Sequence, residues 1–164
     1  MSGSPTIRPA VPDEAGYLSD LALRSKAYWG YSLEFMESCR SELTVDSKRI
    51  LSDEFDYVVA VDKETVVGFY AIEAVSSTVF EMEALFVEPD RIGCGIGRLL
   101  VQHAVRNLAD KGGETLVIQG DPNATKFYSA VGARHIGSRE SESIPGRFLP
   151  LFQISIRPSG ADVA

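Results

Sequence analysis

Three alternating glycines, Gly93-Cys94-Gly95-Ile96-Gly97, stand between a β-rich run and an amphipathic helix. Glycine has no Cβ, so backbone there adopts positive φ and lets an anion approach closely. The first turn of a helix leaves N–H groups unpaired, and the helix dipole adds partial positive charge. Strand, glycine-rich turn and helix together therefore make a cradle for a phosphate or pyrophosphate. Arg91 and Arg98 flank it and add charge. The P-loop pattern fails, because Gly97 is followed by Arg98-Leu99 and not Lys-Ser/Thr. The dinucleotide fingerprint fails too: Arg98 stands where Gly or Ala belongs, and the turn lies in mid-chain, not in the first strand–helix unit. The remaining readings are another phosphate-bearing ligand or a glycine turn with no ligand.

The elements around the turn follow from periodicity. Thr6 to Pro9 reads as a strand, and Pro12-Asp13-Glu14 opens a helix carrying Leu18, Leu21 and Ala22. A second helix is expected over Leu33 to Leu43. Tyr57 to Val61, Val66 to Ile72 and Val79 to Val87 alternate as a three-strand meander. The helix after the turn, Arg98 to Lys111, buries Leu99, Leu100, Ala104 and Leu108, and Lys111-Gly112-Gly113 stops it. Thr115 to Ile118 is a buried strand, Asn123 to Val131 a short helix, and His135-Ile136 and Leu151 to Ile156 a final strand pair separated by an irregular stretch, Ser138 to Pro150. This order is α/β (α+β): a mixed, mostly antiparallel central sheet with flanking helices. Residues 1–157 are expected to form a single domain, with 158–164 as a frayed tail.

Bulk properties narrow the class. The chain has 164 residues, 45% of them apolar, enough for one domain with a core. No apolar run approaches the ~20 residues of a membrane span, and no signal-peptide pattern opens the chain, so a cytoplasmic protein without membrane attachment is expected. Two cysteines and two histidines in no ligand spacing argue against a disulfide framework or a bound metal. A net charge of −7 with no basic run argues against nucleic acid and suits a cationic partner or an ordinary soluble surface.

The run Leu85 to Leu100 resembles the acetyl-CoA-binding motif of the GNAT superfamily of N-acetyltransferases. Asp121-Pro122-Asn123-Ala124, Phe127-Tyr128 and Gly132-Ala133 resemble that family's second conserved segment at the proper distance. Aligning the motif glycines to Gly95 and Gly97 puts Ile92 where the family has Gln or Arg; Arg91, one residue earlier, is the candidate substitute. The resemblance implies a splay between the two central strands and acetyl-CoA as co-substrate, with no metal. It implies that amides from Ile92 to Arg98 (Ile92, Gly93, Cys94, Gly95, Ile96, Gly97, Arg98) hold the pyrophosphate. Backbone groups around Leu85, Phe86 and Val87 would pair with the pantetheine arm. Asn123 would bond that arm, Phe127 would pack near it, and Tyr128 would point at the thioester sulfur. The acceptor would be a small-molecule or peptide amine, and homodimers are common in the family.

Amine acetylation needs a base, because an alkyl ammonium near pKa ~10 is no nucleophile. It needs an N–H for the oxyanion, from the strand near Phe86 or Val87, and an acid for the leaving thiolate, the role of Tyr128. Glu81 and Glu83 are the base candidates. Alternation puts both on one face with Leu85 and Val87 unless a bulge intervenes, and Glu83 lies nearer the splay. Both could instead be surface carboxylates, as Tyr128 could be a core aromatic and Asn123 a helix cap. Tyr28, Trp29 and Tyr31 could line the acceptor pocket or pack in the core, and Arg147 could pair with a substrate carboxylate or be solvated. The expected activity is transfer of acetyl to a primary amine by direct attack in a ternary complex. The alternatives are a non-catalytic acyl-CoA-binding regulatory module and an acyltransferase using a longer chain.

Overall fold

The computed structural model describes residues 4–156. The tail expected at 158–164, and Arg157 before it, lie outside the described residues. Seven strands form one sheet in the order β1-β2-β3-β4-β5-β7-β6. They are β1 (Thr6–Pro9), β2 (Phe55–Asp62), β3 (Thr65–Ala74), β4 (Val79–Val87), β5 (Thr115–Gln119), β6 (Arg134–Glu140) and β7 (Phe148–Ser155). Only β4 and β5 run parallel; the remaining neighbours are antiparallel. The α-helices among the described residues are α1 (Ala15–Ala27), α2 (Leu33–Leu43), α3 (Ser47–Leu51), α4 (Ile96–Asp110) and α5 (Thr125–Ala130).

The sheet is buried on both faces. On one, α4 lays Ile96, Leu100, Val101, Ala104 and Leu108 against Tyr70, Ile72, Leu116 and Phe152. On the other, Leu18, Leu21 and Ala22 of α1 cover Tyr57, Val59, Phe69 and Ala71. This explains why β2 and β3 read as near-continuous apolar runs.

Two features of β4 create the site. Its pairing with β5 ends at Met82↔Ile118, and β4 continues to Val87 with no β5 partner. Its register with β3 also shifts, Ile72 facing Met82 and Ala71 facing Ala84, so Glu83 is the extra residue of a bulge. The bulge reverses the faces. Phe80 and Met82 before it, and Leu85 and Val87 after it, join the α4 side, whereas Ala84 and Phe86 join the α1 side.

Sequence reasoning ended β6 too early and began β7 too late. Pro150 and the polar run before it suggested irregular chain from Ser138, yet β6 reaches Glu140 and β7 begins at Phe148, with Pro150 paired to Ser138. Pro150 loses only its missing N–H; its carbonyl accepts from the Gly120 amide at 3.0 Å. The five-residue α3, capped by Asp46 through the Lys48 amide at 2.9 Å, was not foreseen, being too short to show a period.

At Gly68 of β3 the start of α4 packs directly on the sheet. A Cβ there would stand 3.1 Å from Ile96 Cγ2 and 3.2 Å from Leu100 Cδ1, and 3.1 Å from the Phe86 carbonyl oxygen. Gly68→Val is expected to cost roughly 1–3 kcal/mol through overpacking, measured by urea unfolding; an unchanged midpoint would contradict this packing.

Candidate active site

A cleft of about 1350 Å³ runs from the glycine turn, along the free edge of β4, to the loop between β6 and β7. Gly93 and Gly95 take φ values of +88° and +87°. That left-handed backbone lifts the turn away from α4 and is open to glycine at little cost. The first α4 amide bonded to the chain N-terminal of the helix is that of Leu99, to the Gly95 carbonyl at 3.1 Å. The amides of Gly93, Gly95, Ile96, Gly97 and Arg98 have no partner among the described residues. Two expected members are already engaged: the Cys94 amide donates to the Arg91 carbonyl at 3.2 Å and the Ile92 amide to the Pro89 carbonyl at 3.4 Å. The Ile96 side chain is core, and Cys94 is exposed. Arg98 is exposed and makes no ion pair among the described residues. Arg91 is drawn toward β2, where its guanidinium binds Asp62 at 2.6 Å, so its charge is largely neutralised before any ligand arrives. The donor set fits an anionic diphosphate held mainly by backbone.

The strand edge corrects a second expectation. The Glu88 amide bonds the Val67 carbonyl at 2.9 Å, toward β3. Backbone groups two apart point the same way, so the amide of Phe86 also turns to β3. Leu85 and Val87 are the residues whose backbone faces the gap, not Phe86. The Val87 amide meets the Ser25 hydroxyl of α1 at 3.3 Å. The Phe86 side chain still lines the cleft.

Tyr128 sits across the gap from β4. Its ring stacks on Phe152 with centroids 5.0 Å apart and meets the Phe127 ring edge-on at 5.2 Å. The residue is 6% exposed, yet its hydroxyl bonds no described residue and faces the cleft. Burial pushes the phenol pKa up, so the hydroxyl keeps its proton as a donor at any physiological pH. Phe127 rests on the start of α4, where a Cβ on Gly97 would come within 3.1 Å of its ring.

The two glutamates part company. Both lie on the opposite face from Leu85 and Val87, because the bulge flips the alternation. Glu81 is held by Arg139 of β6 at 3.0 Å. Glu83 has no ion pair, and its side chain lines the open cleft. Loss of water around the carboxyl, then the charges of Glu81, Glu73 and Glu142, push its pKa up to about 7, with Arg49 pulling weakly the other way.

At the acceptor end, Asp121 organises four elements. Its carboxylate accepts from the Tyr31 hydroxyl at 2.7 Å, the Lys26 ammonium at 3.1 Å, and the amide and side-chain N–H of Asn123, both at 2.9 Å. Burial alone would raise its pKa; the Asn123 amide, Tyr31 and Lys26 outweigh burial and hold it below the usual range. The Tyr31 hydroxyl in turn accepts from Arg147 at 2.9 Å and Asn123 at 3.1 Å. Phe35 stacks on Tyr31 at 4.1 Å, and the Arg147 guanidinium lies 4.7 Å from the Phe35 ring centre. Arg147 lines the cleft while its guanidinium is held by Tyr31 and Phe35. Tyr31 stands behind the cleft wall, Trp29 lines the cleft, and Tyr28 lies exposed outside it with its ring against Trp29. Asn123 spends its N–H groups on this network, and its carbonyl has no described partner. Sequence reasoning missed Lys26, Phe35 and Ser25, which mark themselves only as ordinary helix residues.

With this geometry in view, comparison with known proteins is decisive. A profile of the acetyltransferase (GNAT) family matches residues 22–133. This chain belongs to the GNAT acetyltransferase family. It is an acyltransferase. The chain is 30% identical over 116 residues to peptidyl-lysine N-acetyltransferase YjaB of Escherichia coli K12, covering 71% of this chain and 74% of that protein. It is 35% identical over 98 residues to the Salmonella typhimurium protein of the same name, covering 60% and 62%. Among solved structures, the PaiA N-acetyltransferase of Thermoplasma acidophilum in complex with coenzyme A aligns with a TM-score of 0.78 at 19% identity, covering 93% of this chain and 99% of that one. An aminoglycoside 6′-N-acetyltransferase complexed with coenzyme A aligns at 0.71 and 21%, covering 93% and 98%. These share the expected GNAT fold. Among the described residues, no helix is long and apolar enough to cross a membrane, and no group of three or more His, Cys, Asp or Glu is placed to hold a metal.

Gly120, at the end of β5, sets the Tyr128 ring: a Cβ there would fall 2.7 Å from Tyr128 Cε2 and 3.1 Å from Phe152 Cε2. Gly120→Ala is expected to displace the ring, lowering kcat about tenfold or more, with roughly 1–3 kcal/mol lost in stability. Steady-state kinetics beside thermal melting would check this; parent-like kcat would show that the ring's position does not matter.

Proposed function

We propose that this protein transfers acetyl from acetyl-CoA to the ε-amine of a peptide lysine, by direct attack in a ternary complex. One observation carries the reading. A single cleft joins the free amides of the glycine turn to the unpaired Glu83, with the unpartnered Tyr128 hydroxyl in the same cleft. The lysine acceptor is supported by the two relatives that are peptidyl-lysine N-acetyltransferases.

The amides of Gly93, Gly95, Ile96, Gly97 and Arg98 bind the pyrophosphate, and the dipole of α4 adds to them. Backbone groups of Leu85 and Val87, with the Asn123 carbonyl, hold the pantetheine arm in the splay. Phe127 packs beside it. Glu83 accepts the ammonium proton, directly or through water, and the freed amine attacks the thioester carbonyl. The N–H of Leu85 stabilises the oxyanion. As the C–N bond forms and the C–S bond breaks, the nitrogen releases its second proton to solvent, and Tyr128 gives its own proton to the departing sulfur and regains one from solvent. Glu81, tied to Arg139, keeps a structural part.

The base assignment predicts a distinct pH profile. Below about 7 Glu83 is protonated and inactive; above it, the carboxylate works on an acceptor that is still an ammonium. The parent kcat/KM should rise to about pH 7 and then level. Glu83→Gln should fall by about 10²-fold at pH 7 and keep rising toward the amine pKa near ~10, because it waits for free amine. A profile shared by parent and variant would remove Glu83 as base. Stability offers a second readout. A carboxyl whose pKa is raised on folding contributes fully below its unfolded value, and that contribution is lost as pH rises through about 7. Glu83→Gln should therefore raise Tm at about pH 8, and the gain should vanish near pH 4.5.

A further inference from the structure

We propose that Asp121 is a positioning residue for the cofactor arm: with Tyr31, it turns the Asn123 side chain so that the carbonyl, and not the NH2 group, faces the cleft and takes a ligand N–H. This rests on the acetyl-CoA reading above and adds to it the residues that fix the polarity of one contact.

The assignment follows from counting protons. A primary amide has a donor end and an acceptor end of nearly the same shape, so its neighbours decide which way it lies. Two oxygens flank one end of Asn123: Asp121 Oδ1 at 2.9 Å and the Tyr31 hydroxyl at 3.1 Å. Burial would raise the Asp121 pKa, but the Asn123 amide, Tyr31 and Lys26 hold it low, so the carboxylate only accepts. Tyr31 has one proton, and the 2.7 Å contact with Asp121 Oδ2 takes it. Burial, then the bond to Asp121, push the Tyr31 pKa up, so that proton stays on the phenol. Arg147, which can only donate, fills a second position on the same hydroxyl at 2.9 Å. Toward Asn123 the hydroxyl can therefore only accept. Both oxygens demand an N–H, and a reversed amide would set its carbonyl against a carboxylate and a hydroxyl lone pair.

The carboxylate is itself pinned. It accepts from the Asn123 backbone amide at 2.9 Å and from the Lys26 ammonium at 3.1 Å, and the Lys26 and Asp121 side chains are each 14% exposed. What is left over is a single acceptor. The Asn123 carbonyl bonds no described residue, and Asn123 lines the cleft. A partner there must donate. The pantetheine arm of CoA carries secondary amides whose N–H groups meet that demand, whereas the pyrophosphate has only acceptors and belongs to the glycine turn. Asp121 and Tyr31 act on the arm through Asn123 and need no contact with it.

The test compares CoA with 3′-phospho-ADP by calorimetry; the second ligand keeps the pyrophosphate and lacks the arm. The parent should bind CoA more tightly. Asn123→Ala should weaken CoA about tenfold and leave 3′-phospho-ADP within about twofold. Asp121→Asn should do the same without removing any ligand contact. Its new amide must keep a carbonyl on the Asn123 backbone N–H, so its NH2 meets Lys26 and Tyr31. The Tyr31 proton then turns to Asn123, which faces one acceptor and one donor and loses its fixed direction. The double variant Asp121→Asn, Asn123→Ala should bind CoA as Asn123→Ala alone does, because both losses pass through one carbonyl. Tyr31→Phe removes one of the two oxygens and should weaken CoA about threefold, again sparing 3′-phospho-ADP. Additive losses in the double variant, or equal losses for both ligands, would overturn the inference. So would parent-like CoA affinity in Asp121→Asn or, where that variant fails to fold, in Tyr31→Phe. Each of these leaves the cofactor assignment intact. A folded parent that binds neither ligand removes the cofactor assignment and the inference with it.

Discussion

The parallel ladder between β4 and β5 stops at Met82 and Ile118, and the site depends on that stop. Past it, the Leu85 backbone groups and the Val87 carbonyl face the gap, where a ligand or solvent can satisfy them, while the Val87 amide meets the Ser25 hydroxyl. The stop coincides with the Glu83 bulge, where the strand gains a residue and bends. One distortion thus opens the gap, swaps the faces of β4, and puts a carboxylate at the junction. On the far side β5 ends at Gln119, and the missing side chain of Gly120 leaves room for the Tyr128 ring. Acid and base candidates are therefore placed by backbone geometry, and their side chains need few bonds of their own.

Charge is distributed in the same economical way. The anion end is built from amide dipoles; its arginines are paired, as Arg91 with Asp62, or solvated, as Arg98. An acidic protein can hold an acidic ligand on such terms because amides carry no net charge. At the other end, one buried carboxylate, Asp121, gathers Lys26, Tyr31, Asn123 and, through Tyr31, Arg147. That network ties α1, the turn before α5 and the β6–β7 loop into one wall. Asn123 belongs to this wall and also lines the cleft, so the network and the cleft share an element.

Much of this was legible in the residues. The alternating glycines, the stop at Gly112 and the apolar period of α4 are local signals, and they placed the cradle and the helix behind it. The amides that are free were not legible, because whether Cys94 or Ile92 donates within the turn depends on how the turn closes. The faces of β4 hinged on one extra residue. In Glu81 to Val87 one alternate set is apolar throughout (Met82, Ala84, Phe86) and the other passes from Glu81 and Glu83 to Leu85 and Val87, a change that period 2 alone does not assign to a bulge. The partners of Arg91, Glu81 and Arg147 are 29, 58 and 116 residues away in the chain, and no local pattern carries such pairings. The surroundings of Arg147, which lines the cleft against Tyr31 and Phe35, and of Tyr28, which lies outside it, were open for that reason: what surrounds an aromatic or an arginine is a tertiary fact.

The central claim is that the glycine turn and the splayed strand hold acetyl-CoA through backbone donors. Calorimetric titration of acetyl-CoA into the parent, Gly95→Asn and Gly95→Asp tests it most directly. Asparagine and aspartate have the same shape and both tolerate the left-handed backbone at Gly95, so the pair separates charge from strain. The account predicts a binding isotherm for the parent, weakened binding for Gly95→Asn, and loss of binding for Gly95→Asp with all three folded. Equal binding by Gly95→Asp and the parent, or no binding by a folded parent, would contradict it.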